Sequence, residues 1–278
     1  MRGCGTGLSV RRMSPWTSLG VDAPSSADAW PSSRVSLILV GDDSDDARVL
    51  ATLLARATDG TVLRSTESVG SAIRRRHPGL VVVRSSRRGA GPREAERLVR
   101  NAPCPVAVAP AGYAETAPGA LRRIGVAFDG WEESRVALAE AAALVEGAGG
   151  ELVVLMASNP HTAPSTQLSD GDPLAGHRAI AGRYLRKVVE DLSERVDVRA
   201  RVLDGVVARA LADACDAEQL DLLALGSRRG GPVARIAVGS VSSALLHQPP
   251  ECPLLVCPRG VAPPPQTASV AQAGRHRR

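Results

Sequence analysis

The sequence predicts an α/β protein made of two tandem, doubly wound, parallel-sheet repeats of Rossmann-like plan, the first of them truncated. Three observations predict it. From about Arg34 to Arg259, short apolar runs alternate with amphipathic stretches of helical period, the order that gives parallel strands joined by covering helices. Aromatic residues make up 2% of the chain, so the core must come from Val, Leu, Ile and Ala, which suits strands buried on both faces. Two short identities recur in the same order. Ser86-Arg87-Arg88-Gly89 matches Ser227-Arg228-Arg229-Gly230, and Cys104-Pro105-Val106 matches Cys252-Pro253-Leu254, as expected of an internal duplication.

The elements follow in order. Residues 1–33 are rich in Gly, Ser and Pro without hydrophobic period, and read as a disordered N-terminal arm or as an overlong start with translation beginning at Met13. Residues 34–110 form the degenerate first repeat. Val35–Val40 is a strand ending in Gly41-Asp42-Asp43. Ala47, Leu50, Ala51, Leu54 and Ala57 mark a helix face, with Ser44 as N-cap and Asp45-Asp46 favouring the helix dipole. Leu80–Val83 and Pro105–Ala109 are further strands, and residues 111–121 are a linker. The second repeat, 122–260, begins with a strand Ile124–Phe128 and the turn Asp129-Gly130. A helix from Glu132 presents Leu138, Ala141, Ala142 and Val145, and ends at Gly147–Gly150. Leu152–Met156 is a strand, Asn159–Asp172 a polar loop, and Ala181, Leu185, Val188 and Leu192 a longer helix. Val196–Leu203 is the third strand, and Val207, Ala210, Leu211 and Ala214 a third helix. Leu220–Leu225 is a strand ending at Gly226, Ser240–His247 a helix, and Pro253–Cys257 the last strand. Residues 261–278 read as a disordered tail. Asp42 to Pro105 is about half the length of Asp129 to Pro253, so the first repeat lacks roughly one strand–helix unit and much of its final loop.

Composition excludes several classes. The net charge of +5 and pI near 9.3 come almost wholly from Arg, Lys187 being the only Lys, and these residues are spread along the chain. Neither a basic stripe nor aromatic stacking platforms for nucleic acid are present. Cys4, Cys104, Cys215, Cys252 and Cys257 contain no C-x-x-C and have no His at ligand spacing, which argues against zinc and for buried thiols in a reducing cytoplasm. No apolar run is long enough to span a membrane, and Arg11-Arg12 is followed by Ser, Pro and Asp rather than a signal h-region. His77, His161, His177, His247 and His276 lack evident acid partners. Neither a G-x-S-x-G elbow nor a G-x-x-x-x-G-K-[ST] loop occurs.

The informative stretch is Gly226-Ser227-Arg228-Arg229-Gly230-Gly231, followed after a short linker by Gly239-Ser240-Val241-Ser242. A strand end, a Gly-rich loop and a Gly-Ser pair opening a helix place freed amides and the helix dipole together, an arrangement suited to an anion. With Asp129-Gly130 after the first strand and Cys252-Pro253-Leu254 opening the fifth, the pattern resembles the universal stress protein family. That family carries G-x-x-G, nine residues, then G-S/T after its fourth strand, an acid after its first and a C-P-V-like start to its fifth. The resemblance covers about Arg34 to Arg259. It implies adenine-nucleotide binding, ATP with Mg²⁺ as an accompanying ion, through Asp129, Ala157, Gly226, Ser227, Arg228, Arg229, Gly239, Ser240, Val241 and Ser242. It also implies a stress-response role, an unidentified regulatory protein partner, and an intramolecular pseudo-dimer in which Val106–Ala109 pairs antiparallel with Leu254–Cys257.

One departure stands out: the family's second glycine falls on Arg229, with Gly230 displaced by one. The Arg229 guanidinium either reaches a phosphate or folds into the cleft against Asp129. In the second case the chain is a scaffold or interaction module that binds no nucleotide. Asp129 itself reads equally as a turn residue and as a ligand contact. In the first repeat Ser85 replaces the first glycine and the Gly-Ser pair is missing, so no nucleotide is expected there. Asp42-Asp43 resembles the metal-binding acid pair of a receiver domain, but the strand at Val81–Val83 ends in Arg84-Ser85 and this half has no Lys, so helix capping explains the acids better. Some family members hydrolyse ATP slowly or autophosphorylate, yet no base or metal ligand is evident here, and the chain reads as a non-enzyme. A dinucleotide-dependent enzyme is a third reading, disfavoured because Gly125 and Gly130 do not form G-x-G-x-x-G.

Overall fold

The computed structural model describes residues 35–65, 67–85, 93–158, 173–227 and 239–258. The first half of the chain supplies β1 (Leu37–Val40), α1 (Asp45–Thr58), β2 (Thr61–Arg64), α2 (Val69–Arg76), β3 (Leu80–Arg84), α3 (Arg93–Asn101), β4 (Val106–Ala109) and α4 (Tyr113–Thr116). The second half supplies β5 (Arg123–Ala127), α5 (Glu132–Ala148), β6 (Glu151–Ser158), α6 (Pro173–Leu192), β7 (Asp197–Asp204), α7 (Val207–Ala217), β8 (Leu222–Ser227), α8 (Ser240–His247) and β9 (Leu254–Pro258). All nine strands form one sheet in the order β2-β1-β3-β4-β9-β8-β5-β6-β7. Every pairing is parallel except β4–β9, where Val106, Ala107 and Val108 face Val256, Leu255 and Leu254 in antiparallel register. The fold is a mostly parallel Rossmann-like sheet, as the sequence predicts, and the expected antiparallel strand pair is present.

The alternation of side chains along each strand serves two cores. Leu39, Val81, Val83, Val106, Val108, Val153, Leu155, Leu223, Leu225, Leu254 and Val256 face a cluster completed by α2, α3, α7 and α8. Residues of the other parity, among them Ile38, Val82, Ala107, Ile124, Val126, Leu222, Ala224 and Leu255, are equally buried, and α1 and α5 pack on that face. These helices meet each other across the two halves. Gly147 permits it, since a methyl group there would overlap the Ala57 carbonyl oxygen and lie 2.8 Å from its carbon.

The structure corrects several sequence boundaries. β8 does not end at Leu225: it runs through Gly226 and Ser227, which pair with Cys257 and Pro258, so the strand continues into the expected loop. Phe128 falls just past β5, although its N–H still donates to Leu155 O at 2.8 Å. The elements β2, α2, α3 and α4 have no counterpart in the sequence reading. β2 lies at the sheet edge and is largely exposed, so it lacks the apolar run that reveals a buried strand. The stretch read as a linker contains α4, whose Gly112 and Ala114 amides donate to the buried Asp46 carboxylate at 3.2 and 2.8 Å. Asp46 thus does more than favour the α1 dipole: it ties the connection between the halves to α1. The N-cap at Ser44 is as expected, its Oγ accepting the Ala47 N–H. The segments read as the arm, the Asn159–Asp172 loop and the tail lie outside the described residues.

Candidate functional site

The strand order reverses between β5 and β8. β5 leads through α5 and α6 to β6 and β7 on one side, and α7 then carries the chain back to β8 on the other. In a doubly wound sheet ligands sit outside the carboxyl ends of the strands at such a point. Most of the candidate residues converge on this edge. Asp129 follows β5, Ala157 lies near the end of β6 opposite Leu203, Gly226 and Ser227 end β8, and Gly239 is the N-cap of α8. Arg228 and Arg229 lie outside the described residues.

The turn after β5 is held by its own polar groups. Asp129 Oδ1 accepts the Trp131 N–H at 3.1 Å, and Ser134 Oγ accepts the Asp129 N–H at 3.3 Å and donates to Trp131 O at 2.9 Å. Gly130 takes φ +84°, and a side chain there would strike Tyr184, whose Oη lies 2.9 Å from the Cβ position. Tyr184, on α6, stacks on Phe128 with centroids 5.7 Å apart and planes at 15°. A pair of rings therefore packs against the Asp129-Gly130 turn.

Gly226 is glycine for a protein contact: a Cβ there would overlap the Glu133 carbonyl and lie 2.7 Å from Glu133 Cβ. The first turn of α5 rests on the end of β8, the close helix–strand approach that a glycine allows. At the start of α8, Ser240 is exposed, Val241 is half-buried against the core and Ser242 is buried. The first intrahelical bond runs from Ser243 N–H to Gly239 O at 2.8 Å, so the amides of Ser240, Val241 and Ser242 precede the helical ladder and face out of its start. Ser227 and Ser242 are each 1% exposed, so their hydroxyls are enclosed. Cys257, in register with Gly226, is fully buried, and burial pushes its thiol well above the usual range.

The corresponding crevice of the first half, between β1 and β3, is built differently. Asp42 Oδ2 accepts the Arg84 N–H at 2.6 Å and Oδ1 accepts the Ser44 N–H at 2.9 Å, so one carboxylate spans the ends of both strands. Ser85 is buried beside it, and its Oγ has no hydrogen-bond partner among the described residues.

At the other end of the second half, Arg123, Arg199 and Arg201 pair with Glu151 and Glu218, and Asp221 accepts the Arg122 and Arg123 amides at 2.6 and 2.8 Å. An open groove of about 780 Å³ borders this network, lined by Arg122, Gln219 and Asp221 among others. It lies at the amino ends of the strands, away from the reversal. Among the described residues no cluster of three His, Cys, Asp or Glu side chains is placed to hold a metal, and no helix is long and apolar enough to cross a membrane.

The sequence profile of the Universal stress protein family matches residues 120–258. The chain belongs to the universal stress protein family. Two solved structures that cover most of the chain agree in fold. A universal stress protein from Archaeoglobus fulgidus DSM 4304 superposes over 77% of this chain and 77% of its own, with 20% identity and a TM-score of 0.52. A functionally unknown protein from Pseudomonas aeruginosa PAO1 covers 81% of this chain and 82% of its own, with 15% identity and a TM-score of 0.51. A universal stress protein family member from Burkholderia pseudomallei matches 51% of this chain and 99% of its own, at 24% identity and a TM-score of 0.40. No curated protein matches.

Sequence reasoning missed three parts of this universal stress protein crevice. Ser134 acts through its hydroxyl on the turn backbone and Glu133 through its contact with Gly226, neither of which a motif marks. The Phe128–Tyr184 stack joins residues far apart in the chain. Trp131 follows the Asp129-Gly130 turn directly, and its backbone, held by Asp129 and Ser134, completes that turn.

Proposed function

We propose that this universal stress protein binds ATP or a related adenine nucleotide in the crevice between β5 and β8, and acts in the cytoplasm as a non-enzymatic stress-response protein. The observation that carries the reading is the convergence at the strand reversal of Asp129, the end of β8 and the Gly239-Ser240 start of α8. The amides at that helix start suit the phosphates, and the turn after β5 with Ala157 of β6 suits the adenosine. Mg²⁺ would arrive on the nucleotide. The first half acts as a structural repeat: Asp42 is committed to Arg84 and Ser44, and the two halves form a pseudo-dimer about the β4–β9 joint. A regulatory protein partner reads the nucleotide state.

A second reading has one observation in its favour. The space left by Gly226 is filled by Glu133, so that glycine does not itself argue for a ligand, and a scaffold with Arg229 folded into the cleft keeps the same packing. Isothermal titration with ATP separates the two. Binding by the wild type, abolished in Gly239→Val and weakened in Arg229→Gly, supports the nucleotide reading. A silent wild type with binding gained in Arg229→Gly makes the arginine a plug and overturns it.

A further inference from the structure

The ion-pair network at the amino ends of the second half closes on itself and leaves one cation over. Arg199 and Arg201 pair with Glu218, Arg123 and Arg199 pair with Glu151, and Asp221 accepts the Arg122 and Arg123 amides. Three guanidiniums there stand against three carboxylates, those of Glu151, Glu218 and Asp221. The guanidinium of Arg122 is extra. It has no hydrogen-bond or ion-pair partner among the described residues, and Arg122 is exposed and lines the groove of about 780 Å³ beside the network.

The backbone that presents this side chain is fixed. The Arg122 N–H donates to Asp221 Oδ2 at 2.6 Å, and its carbonyl accepts the Glu151 N–H at 2.7 Å. Gly150 passes so close that a methyl group there would overlap the Arg122 carbonyl. Gln219 lines the same groove and is held through its neighbours. The Glu218 carbonyl accepts Arg123 Nη1 at 2.9 Å, and the Asp221 N–H donates to the Arg123 carbonyl at 2.8 Å. Gln219 takes φ +51°, the left-handed conformation just past α7, where glycine or asparagine is the usual residue. Its exposed carboxamide makes no hydrogen bond among the described residues. A glutamine thus stands where glycine would cost less, and the fold makes no use of its side chain.

Together the two residues offer a planar fork of N–H donors and an amide beside one uncompensated positive charge. A guanidinium of this kind matches a carboxylate bidentately. Glu151 and Asp221 line the groove as well, so the second charge of a phosphate would be repelled. Pro118 and Ala120 add apolar wall for a carbon body. We propose that this groove, at the opposite ends of the strands from the β5–β8 crevice, binds a small organic carboxylate through Arg122 and Gln219. The site is independent of any nucleotide.

The test titrates the full chain with benzoate, benzamide and inorganic phosphate, followed by amide NMR, with Tm measured alongside. Wild type should show saturable shifts with benzoate, centred on the groove, and none with benzamide or phosphate at the same concentrations. Arg122→Gln should weaken benzoate binding about tenfold, the size of one charge-assisted hydrogen bond, at unchanged Tm. Gln219→Gly gives a readout that a structural role would not move. Its Tm should hold or rise, since glycine is at ease at positive φ, while benzoate binding weakens about fivefold. Absence of saturable benzoate shifts in wild type overturns the proposal, and so does equal binding of benzamide or phosphate. Undiminished binding in both variants overturns it too. If Arg122→Gln fails to fold, Gln219→Gly decides: weaker binding in a protein at least as stable as wild type supports the site, and retained affinity sinks it.

Discussion

Single residues in this protein carry several meanings, and Gly226 shows how they separate. Its place in a Gly-rich motif suggests ligand approach, whereas its surroundings show a helix turn pressed against a strand. Gly226→Ala should therefore destabilise the protein without any nucleotide present. Overpacking at such a contact costs about 1–3 kcal/mol, and each kcal/mol lowers Tm by roughly 2–4 °C in a domain of this size. Thermal denaturation of the nucleotide-free variant checks it, and an unchanged Tm would return the glycine to a purely ligand-facing role. Asp42 and Asp129 teach the same lesson. Both read from sequence as acids after a first strand, yet one carboxylate bridges two strand ends while the other shapes its own turn.

At the scale of elements, the legible parts were those with a buried face. α1, α5, α6 and α7 announced themselves by apolar period, and β1, β3, β4, β5, β6, β8 and β9 by apolar runs. β2 was missed because an edge strand, wet on most of its side chains, carries no such run. α4 was missed because its four residues are too few to show a period and its amides are satisfied from afar by Asp46. The candidate set of Asp129, Gly226 and Gly239-Ser240 came from the resemblance to the family, and the strand order brings these residues to one edge of the sheet. The contacts of Glu133, Tyr184 and Trp131 were not legible, since they depend on how elements pack. The thiols belong to this scale as well. Cys104, Cys215, Cys252 and Cys257 are all buried at helix–sheet contacts. The Cys252 thiol is raised by its hydrogen bond with Cys215 and by burial, and Cys257 by burial. Protonated, enclosed thiols react poorly. A disulfide-exchange reagent should therefore label at most one of the five cysteines in the native protein at neutral pH, and all five after denaturation. Rapid native labelling of two or more would show that the sheet opens at its helix layer.

At the scale of the molecule, the two halves share one continuous sheet and helix–helix contacts of α1 with α5 and of α3 with α8, so they should unfold together. Calorimetry should give a single transition for the described core. Gly147→Val, which forces a side chain into the Ala57 carbonyl, should lower that transition as a whole rather than split it. Two resolved transitions in the wild type would mean that the halves are independent domains. The antiparallel joint of β4 and β9 has a further consequence. The same joint between separate chains would form and dissolve with protein concentration. Here the partner strand is tethered, so its effective concentration is set by the intervening chain and not by how much protein is present. The remaining sheet edges, β2 and β7, carry Arg64, Arg199 and Arg201, charges that discourage another chain from adding a strand. However dilute the protein becomes, β9, which pairs in register with the end of β8, keeps its neighbour.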